Sequence, residues 1–337
     1  MLAPQFDKRL LAPKHWPVWL LVGLVWLLAQ LPWAVQLRLG AGLGWLLYRL
    51  LGRRVEDTRT NIRLCFPDKT PAEQEAMVRD VFHNAGLTLF ETANAWFRPS
   101  EFYRPRFTLE GLEHLRAAQA NGRSVLLLGA HYSMMDLGAS MASLYFKVDT
   151  VYRQQKNPVL EYMMTTRRLR YHQWAIPHED MRHLIRALKG GHIVWYTPDQ
   201  DFGLRHAVFA PFFGVTAATI TTPTRLARIA DSAVMMVHFH RVGDREEYRM
   251  TLLPPLENYP SGDEVADATR VNQALESCIR RAPTQYMWYH RRFKTVPPGG
   301  RFPYQYKAKE LRYQREAAAR AAAARDAAAR ETRGGNP

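Results

Sequence analysis

From Trp16 to Leu37 the chain reads WPVWLLVGLVWLLAQLPWAVQL, without one formally charged side chain. As a single helix this run would rise about 33 Å, enough for the roughly 30 Å hydrocarbon layer of a bilayer. Lys8, Arg9 and Lys14 precede it, and Trp16, Trp19 and Trp33 sit near its ends, as an interfacial belt would. The run is long for a signal-peptide core and no small-residue cleavage site follows it. The expectation is a retained membrane-anchoring helix. Pro32 would kink or end such a helix, so a buried or interface-lying hairpin is the alternative. A second apolar stretch, GWLLYRLLG at Gly44–Gly52, is too short to span and reads as a helix in the headgroup region. GAGLG at Gly40–Gly44 lies inside apolar sequence and reads as a helix-packing surface, not a nucleotide loop.

The pattern then changes twice. PAEQEAMVRDVFHNAGLTLFETANAWF has apolar residues at helical spacing (Met77, Val78, Phe82, Ala85, Leu89), with Thr70 as a cap and Pro71 in the first turn. Beyond Pro99, short apolar runs alternate with amphipathic ones. Strands are predicted at Ser124–Gly129, Val148–Arg153, Gly191–Thr197, Ala233–Phe239 and Glu247–Leu253. Helices are predicted at Glu113–Ala120, Met135–Phe146, Pro158–Tyr171, Met181–Lys189 and Thr221–Ala230. Such alternation is the signature of an α/β sheet flanked by helices. From Lys307 the chain is Ala/Arg/Glu-rich and cannot bury a core. Three parts follow: an N-terminal anchor and interfacial helix (1–52), an α/β domain (53–306) and a helical or disordered tail (307–337).

Composition narrows the function classes. With 337 residues, 47% of them hydrophobic, the chain is neither disordered nor polytopic. Cys65 and Cys278 are too few for a disulfide framework. Forty-six Lys and Arg against 31 Asp and Glu leave a net charge of +15, which favours a polyanionic partner: nucleic acid, an acidic membrane face or a phosphorylated ligand.

The candidate chemistry lies in SVLLLGAHYSMMDLGAS. A buried strand ends at Gly129-Ala130, His131 follows, and Asp136 opens an apolar helix. Strand carboxyl ends are where open α/β sheets bind ligands. Five residues apart, His131 and Asp136 would diverge by about 140° on one helix. They meet only if His131 sits on the preceding turn. Asp136 would then accept one imidazole N–H, leaving the other nitrogen as a general base with no serine nucleophile required. His238 and His240 would share a strand face, but two ligands do not make a zinc site and there is no HExxH. No metal or cofactor is expected.

GAHYSMMD resembles the H-x-x-x-x-D/E motif of membrane acyltransferases. NIRLCFPD, ETANAWF, VYRQQKNPVLEY, WYTPDQDFG, VFAPFFG and QYMWYHRRFKTVP resemble, in collinear order from about Pro13 to Pro298, the late lipid A biosynthesis acyltransferases, most closely their lauroyl-transferring members. Asp136 stands where several of those carry glutamate. The resemblance implies a glycerol-phosphate-acyltransferase-like mixed sheet. It also implies transfer of a lauroyl-length chain from acyl carrier protein to a hydroxyl of a Kdo-bearing, phosphorylated lipid A precursor. The site of action would be the bacterial inner membrane, with the catalytic domain facing the cytoplasm. His131 would be the base and Asp136 its partner. Arg153 would contact an oxyanion or an acceptor phosphate, with Asn157 beside it. The other readings are acyl transfer to another lipid such as a lysophospholipid, or a membrane-tethered binding protein without turnover.

Three further segments carry expectations. WYTPDQDFG ends a strand, so Asp199, Gln200 and Asp201 would position the acceptor or the active-site loop, or simply form a turn. VFAPFFG would line an acyl channel or pack as core. In YMWYHRRFKTVPP, basic residues alternate with aromatics, which suits nucleic acid or a lipid headgroup. With an apolar segment upstream and no nucleic-acid motif, the lipid reading is favoured, assigning Trp288, Arg291, Arg292 and Lys294 to membrane or headgroup contact and excluding nucleic acid as partner.

Overall fold

The computed structural model describes residues 4–304, so the Ala/Arg-rich tail lies outside the described residues. Four helices come first: α1 (Trp16–Gln30), α2 (Trp33–Leu50), α3 (Gly52–Cys65) and α4 (Pro71–Phe97). The run Trp16–Leu37 is therefore not one anchoring helix. Pro32 has no N–H to continue α1, and the chain turns at Leu31 into α2. At 15 residues α1 rises about 22 Å, and no described helix is long and apolar enough to cross a membrane.

The turn is closed by polar groups at the end of α4 and on α2. Arg98 donates to the carbonyls of Ala29 (2.8 Å) and Leu31 (2.9 Å), and Gln36 donates to Leu31 O (2.7 Å) while accepting from Asn94. A cation over the exposed carbonyls of a helix C-terminus satisfies acceptors that Pro32 leaves unpaired. Trp19, Val18 and Val22 of α1 pack around Leu10, Val159 and Met163, while Leu20, Leu21, Leu24, Trp26 and Leu27 face outward. Helix α2 lies on α4 at van der Waals range because both present glycine. A Cβ on Gly86 would run into Gly40 O and the Gly44 backbone, and one on Gly44 would sit 2.5 Å from Phe82 O.

The remainder alternates strands and helices: β1 (Phe107–Glu110), α5 (Leu112–Ala120), β2 (Val125–Gly129), α6 (Met135–Ala142), β3 (Val148–Tyr152), α7 (Pro158–Arg168), β4 (His172–Pro177), α8 (Met181–Lys189) and β5 (Ile193–Tyr196). The hairpin β6 (Ala207–Phe212) and β7 (Val215–Ile220) follows, then α9 (Thr222–Ala230), β8 (Ala233–Arg241), β9 (Tyr248–Leu252) and α10 (Glu264–Arg281). Seven strands form one sheet in the order β1-β9-β8-β2-β5-β3-β4, parallel throughout except for β8 against β9. This is the expected mixed α/β sheet with flanking helices. Central β2, VLLLG, is buried at every residue, as a parallel strand covered on both faces must be. Leu127, Leu137, Met235, Phe239 and Met250 form part of the core. VFAPFFG supplies most of β6 and its turn; Phe212 and Phe213 pack against Phe293 and Trp288, so the aromatic end of the segment is core while Pro211 is exposed.

The close α2–α4 contact generates a prediction. Gly86→Ala inserts a methyl where backbone already sits and should cost about 1–3 kcal/mol, read as a lowered unfolding midpoint in detergent, whereas Gly42→Ala, which meets open space, should not.

Candidate active site

His131 stands just past the carboxyl end of β2, and its position is fixed from two sides. Strands β2 and β5 pair in parallel register with Leu128 opposite Tyr196. Three residues further along each strand come His131 and Asp199. Asp199 accepts from the His131 backbone N–H at 3.0 Å and from Nδ1 at 2.6 Å, and its side chain is fully buried. A carboxylate this close holds the proton on Nδ1 and leaves Nε2 as the basic nitrogen. Nε2 lies 3.3 Å from Thr197 Oγ1. Burial alone would raise the Asp199 carboxyl, but the charge and hydrogen bonds of His131, with a further bond from Tyr286, hold it below the usual carboxylate range.

On the other side the segment after α10 pairs with the His131 turn. Met287 N donates to His131 O (2.9 Å), Ser133 N donates to Gln285 O (3.0 Å), and Tyr132 bridges Tyr286. Gln285 is itself locked to β8 by reciprocal bonds with the Arg241 backbone (2.8 and 2.9 Å), and Arg241 is anchored by a buried ion pair with Glu91 (2.6 Å). Asn61 holds the next turn through the carbonyls of Trp288 and His290 (2.6 and 2.7 Å). The amides of His131, Tyr132 and Ser133 are thus all consumed within the fold, by Asp199, Ala130 O and Gln285 O.

Asp136 does sit in the first turn of α6, but it does not reach His131. Its two oxygens accept from Arg168 Nε (2.8 Å) and Nη2 (3.1 Å) at the end of α7. The guanidinium fork matches a carboxylate bidentately, and Asp199 already fills the place at His131 Nδ1. The expected His131–Asp136 hydrogen bond is therefore corrected: Asp199 pairs with His131, and Asp136 with Arg168. His131, Asp136 and Arg168 line one cavity of about 330 Å³, which Thr88, Ala139, Met164 and Trp195 also line, while Asp199 stays buried behind His131. A second cavity of about 480 Å³ adjoins it at Arg153, which lines both.

Other expected residues separate. Asp201 ties its loop to a neighbouring segment, accepting from Gly203 N, Thr295 N and Thr295 Oγ1 at 2.7–2.8 Å. Gln200 lines the second cavity, as do Arg291 and the exposed Lys294. Asn157 lines neither cavity: its Oδ1 caps α7, accepting from Val159 N and Leu160 N, which corrects its expected role beside Arg153. Trp288 and Arg292 are corrected too. Trp288 is buried between Phe66, Phe213 and Tyr286, and buried Arg292 donates to Ala218 O and Thr219 Oγ1, so neither faces a headgroup. Arg168, Thr197 and Gln285 escaped the sequence reading. Only the paired arginines of TTRRLR, at the end of an amphipathic run, hinted at the first.

An α/β sheet with a carboxylate-held histidine at a strand end, lining a cavity, is equipped for proton transfer to or from a bound ligand. The comparisons make the class specific. A family profile described as bacterial lipid A biosynthesis acyltransferase matches residues 3–295. The lipid A biosynthesis lauroyltransferase of Escherichia coli (strain K12) is 40% identical over 297 residues, covering 88% of this chain and 97% of that one. The palmitoleoyltransferase of the same strain is 38% identical over 296 residues, covering 88% and 96%. A lipid A biosynthesis acyltransferase of Haemophilus influenzae is 36% identical over 298 residues, covering 87% and 95%. The chain belongs to the bacterial lipid A biosynthesis acyltransferases, and it is an acyltransferase.

Buried histidines around the site give an acid-sensitivity prediction. Burial, with nearby cations, depresses His172 to about 4, His238 to about 3 and His290 to about 4. Each is neutral when folded and gains a proton on unfolding once pH falls below about 6.5, so their stabilisation is complete above that pH and declines as pH falls toward 4. Calorimetry in buffers of different ionisation enthalpy at pH 5 should record about one proton less taken up on unfolding in His172→Gln than in the unaltered protein.

Proposed function

We propose that the protein transfers a lauroyl-length acyl group from acyl carrier protein to a hydroxyl of a Kdo-bearing lipid A precursor, with His131 as general base and Asp199 as its orienting residue. The observation that carries this reading is the Asp199-held His131 whose second nitrogen faces a cavity at the sheet's strand ends, in a chain of this family. The acceptor hydroxyl displaces Thr197 from Nε2 and gives up its proton as its oxygen attacks the thioester carbonyl. Collapse of the tetrahedral intermediate forms the new ester and expels the carrier thiolate, which takes the proton back from the imidazolium. With the amides of the 131–133 turn engaged, the developing oxyanion is met by the charge of Arg168, which Asp136 holds in the cavity wall. Asp136 is a positioning residue in this scheme.

Membrane association belongs to the same reading. The outward leucines and tryptophans of α1, with Trp45, Leu46 and Leu50 of α2, enter the cytoplasmic leaflet of the bacterial inner membrane as a hairpin. The +15 charge draws in both the acidic carrier protein and the phosphorylated acceptor.

The test is a transfer assay with purified protein in detergent, offering a series of acyl carrier protein thioesters to the tetra-acylated precursor and weighing the product. A single acyl addition is expected, lost in His131→Ala. Asp199→Asn should lower kcat by about 10²–10⁴, and combining it with His131→Ala should cost nothing further. Asp136→Ala and Arg168→Ala should likewise be non-additive with each other. Full activity in Asp199→Asn beside an inactive Asp136→Asn would return the orienting role to Asp136.

A further inference from the structure

The glycine seam between α2 and α4 borders a third cavity, of about 370 Å³, that shares no residue with the two at the active site. Its size falls within the roughly 300–1,000 Å³ of small-ligand sites. The seam itself creates it. Gly44 sits against the Phe82 and His83 backbone, so side chains flanking that contact converge: Trp45, Tyr48 and Arg49 from α2, and Arg79, Asp80 and His83 from α4. Each set follows helical spacing and lies on one face of its helix.

The lining carries charge of both signs that the fold does not use. Among the described residues, Arg49, Arg79 and Asp80 form no ion pair and no hydrogen bond through their side chains. Desolvation in the cleft pushes the Asp80 carboxyl above its ordinary range, and His83 and Arg79 only partly offset it. The wall between these charges is fixed. Tyr48 Oη donates to Glu75 at 2.5 Å and accepts from Arg59 at 3.2 Å, and the Arg49 guanidinium lies 5.5 Å from the centre of the Trp45 ring. The rim is apolar, because Trp45, Leu46 and Leu50 are exposed on α2.

We infer that this cavity binds the head group of a phospholipid carrying a primary amine, its phosphate between Arg49 and Arg79, its ammonium on Asp80 and its acyl chains along Trp45, Leu46 and Leu50. The inference rests on the membrane-association reading above and gives that face a means of selecting lipid. Two guanidiniums alone would suit any anionic lipid; Asp80 beside them repels a further negative group and offers an ammonium its acceptor. The Trp45 ring already faces Arg49, so the amine is held through its N–H donors, which a trimethylated amine lacks.

Native mass spectrometry of the full-length protein in detergent tests this, with phosphatidylethanolamine, phosphatidylcholine and phosphatidylglycerol offered in equal amounts. The primary-amine lipid should be retained about tenfold over either competitor, the size of one charge-assisted hydrogen bond. Asp80→Asn should bring its preference over phosphatidylglycerol close to one while keeping the unfolding midpoint, which separates lost recognition from lost fold. Arg79→Gln should weaken all three lipids about tenfold. Equal retention of the three by the unaltered protein overturns the inference, and so does a preference that survives Asp80→Asn. Displacement of the lipid by an equal concentration of glycerophosphoethanolamine also overturns it, making the ligand a soluble phosphoamine. Vesicle flotation reads membrane association separately. A protein that stays off vesicles of every composition yet selects the amine lipid in detergent would sink the hairpin insertion and leave the head-group site standing.

Discussion

Two N–H groups of one residue, the main-chain amide and the ring Nδ1–H of His131, converge on a single buried carboxylate, Asp199. Much of the α/β layer is arranged to make that meeting unavoidable. Parallel pairing of β2 and β5 brings the two strand ends out side by side in matched register, so residues three beyond Leu128 and Tyr196 face each other. An unpaired carboxylate at this depth would be costly, and one that grips both the backbone and the ring of the same residue leaves the imidazole few ways to turn. From the opposite side Gln285, Met287 and Asn61 close the frame through main-chain bonds.

The N-terminal helices follow a different constraint. They expose leucine and tryptophan to the surroundings yet are sewn to the body by buried polar groups. Arg98 spans this junction: it saturates the α1 carbonyls left by Pro32 and also approaches Glu246 in the β8–β9 connection (3.5 Å). Gly40, Gly44 and Gly86 remove the side chains that would otherwise separate α2 from α4. An apolar run that composition describes as one span thus becomes two short helices, both against α4, with α1 also touching α7.

How much of this was legible depends on whether the deciding partner lay nearby in sequence. The five predicted strands all occur, because buried parallel strands announce themselves as apolar runs. Edge strands β1 and β4 and the hairpin β6–β7 were not read as strands: β1 is four residues long, β4 mixes polar residues with a terminal proline, and Pro211 interrupts β6. His131 was legible from its place after a buried strand. Its partner was not, since a motif six residues wide cannot represent a register between strands nearly seventy residues apart. The basic-aromatic segment misled for a related reason. Composition could not say that Trp288 and Arg292 turn inward while Arg291 and Lys294 turn toward a cavity.

The turn from His131 to Ser133 spends all three of its amides on the fold, which makes its backbone a fixed anvil. In the proposed reaction, discrimination among acyl chains falls to the cavity wall, where Thr88, Ala139 and Met164 come from three helices that do not carry His131. Relatives named for lauroyl, palmitoleoyl and myristoyl transfer align along nearly all of this chain. On the proposed reading, such an arrangement lets a lineage exchange one fatty acid for another by trimming or filling the wall, with the His131–Asp199 pair inherited whole.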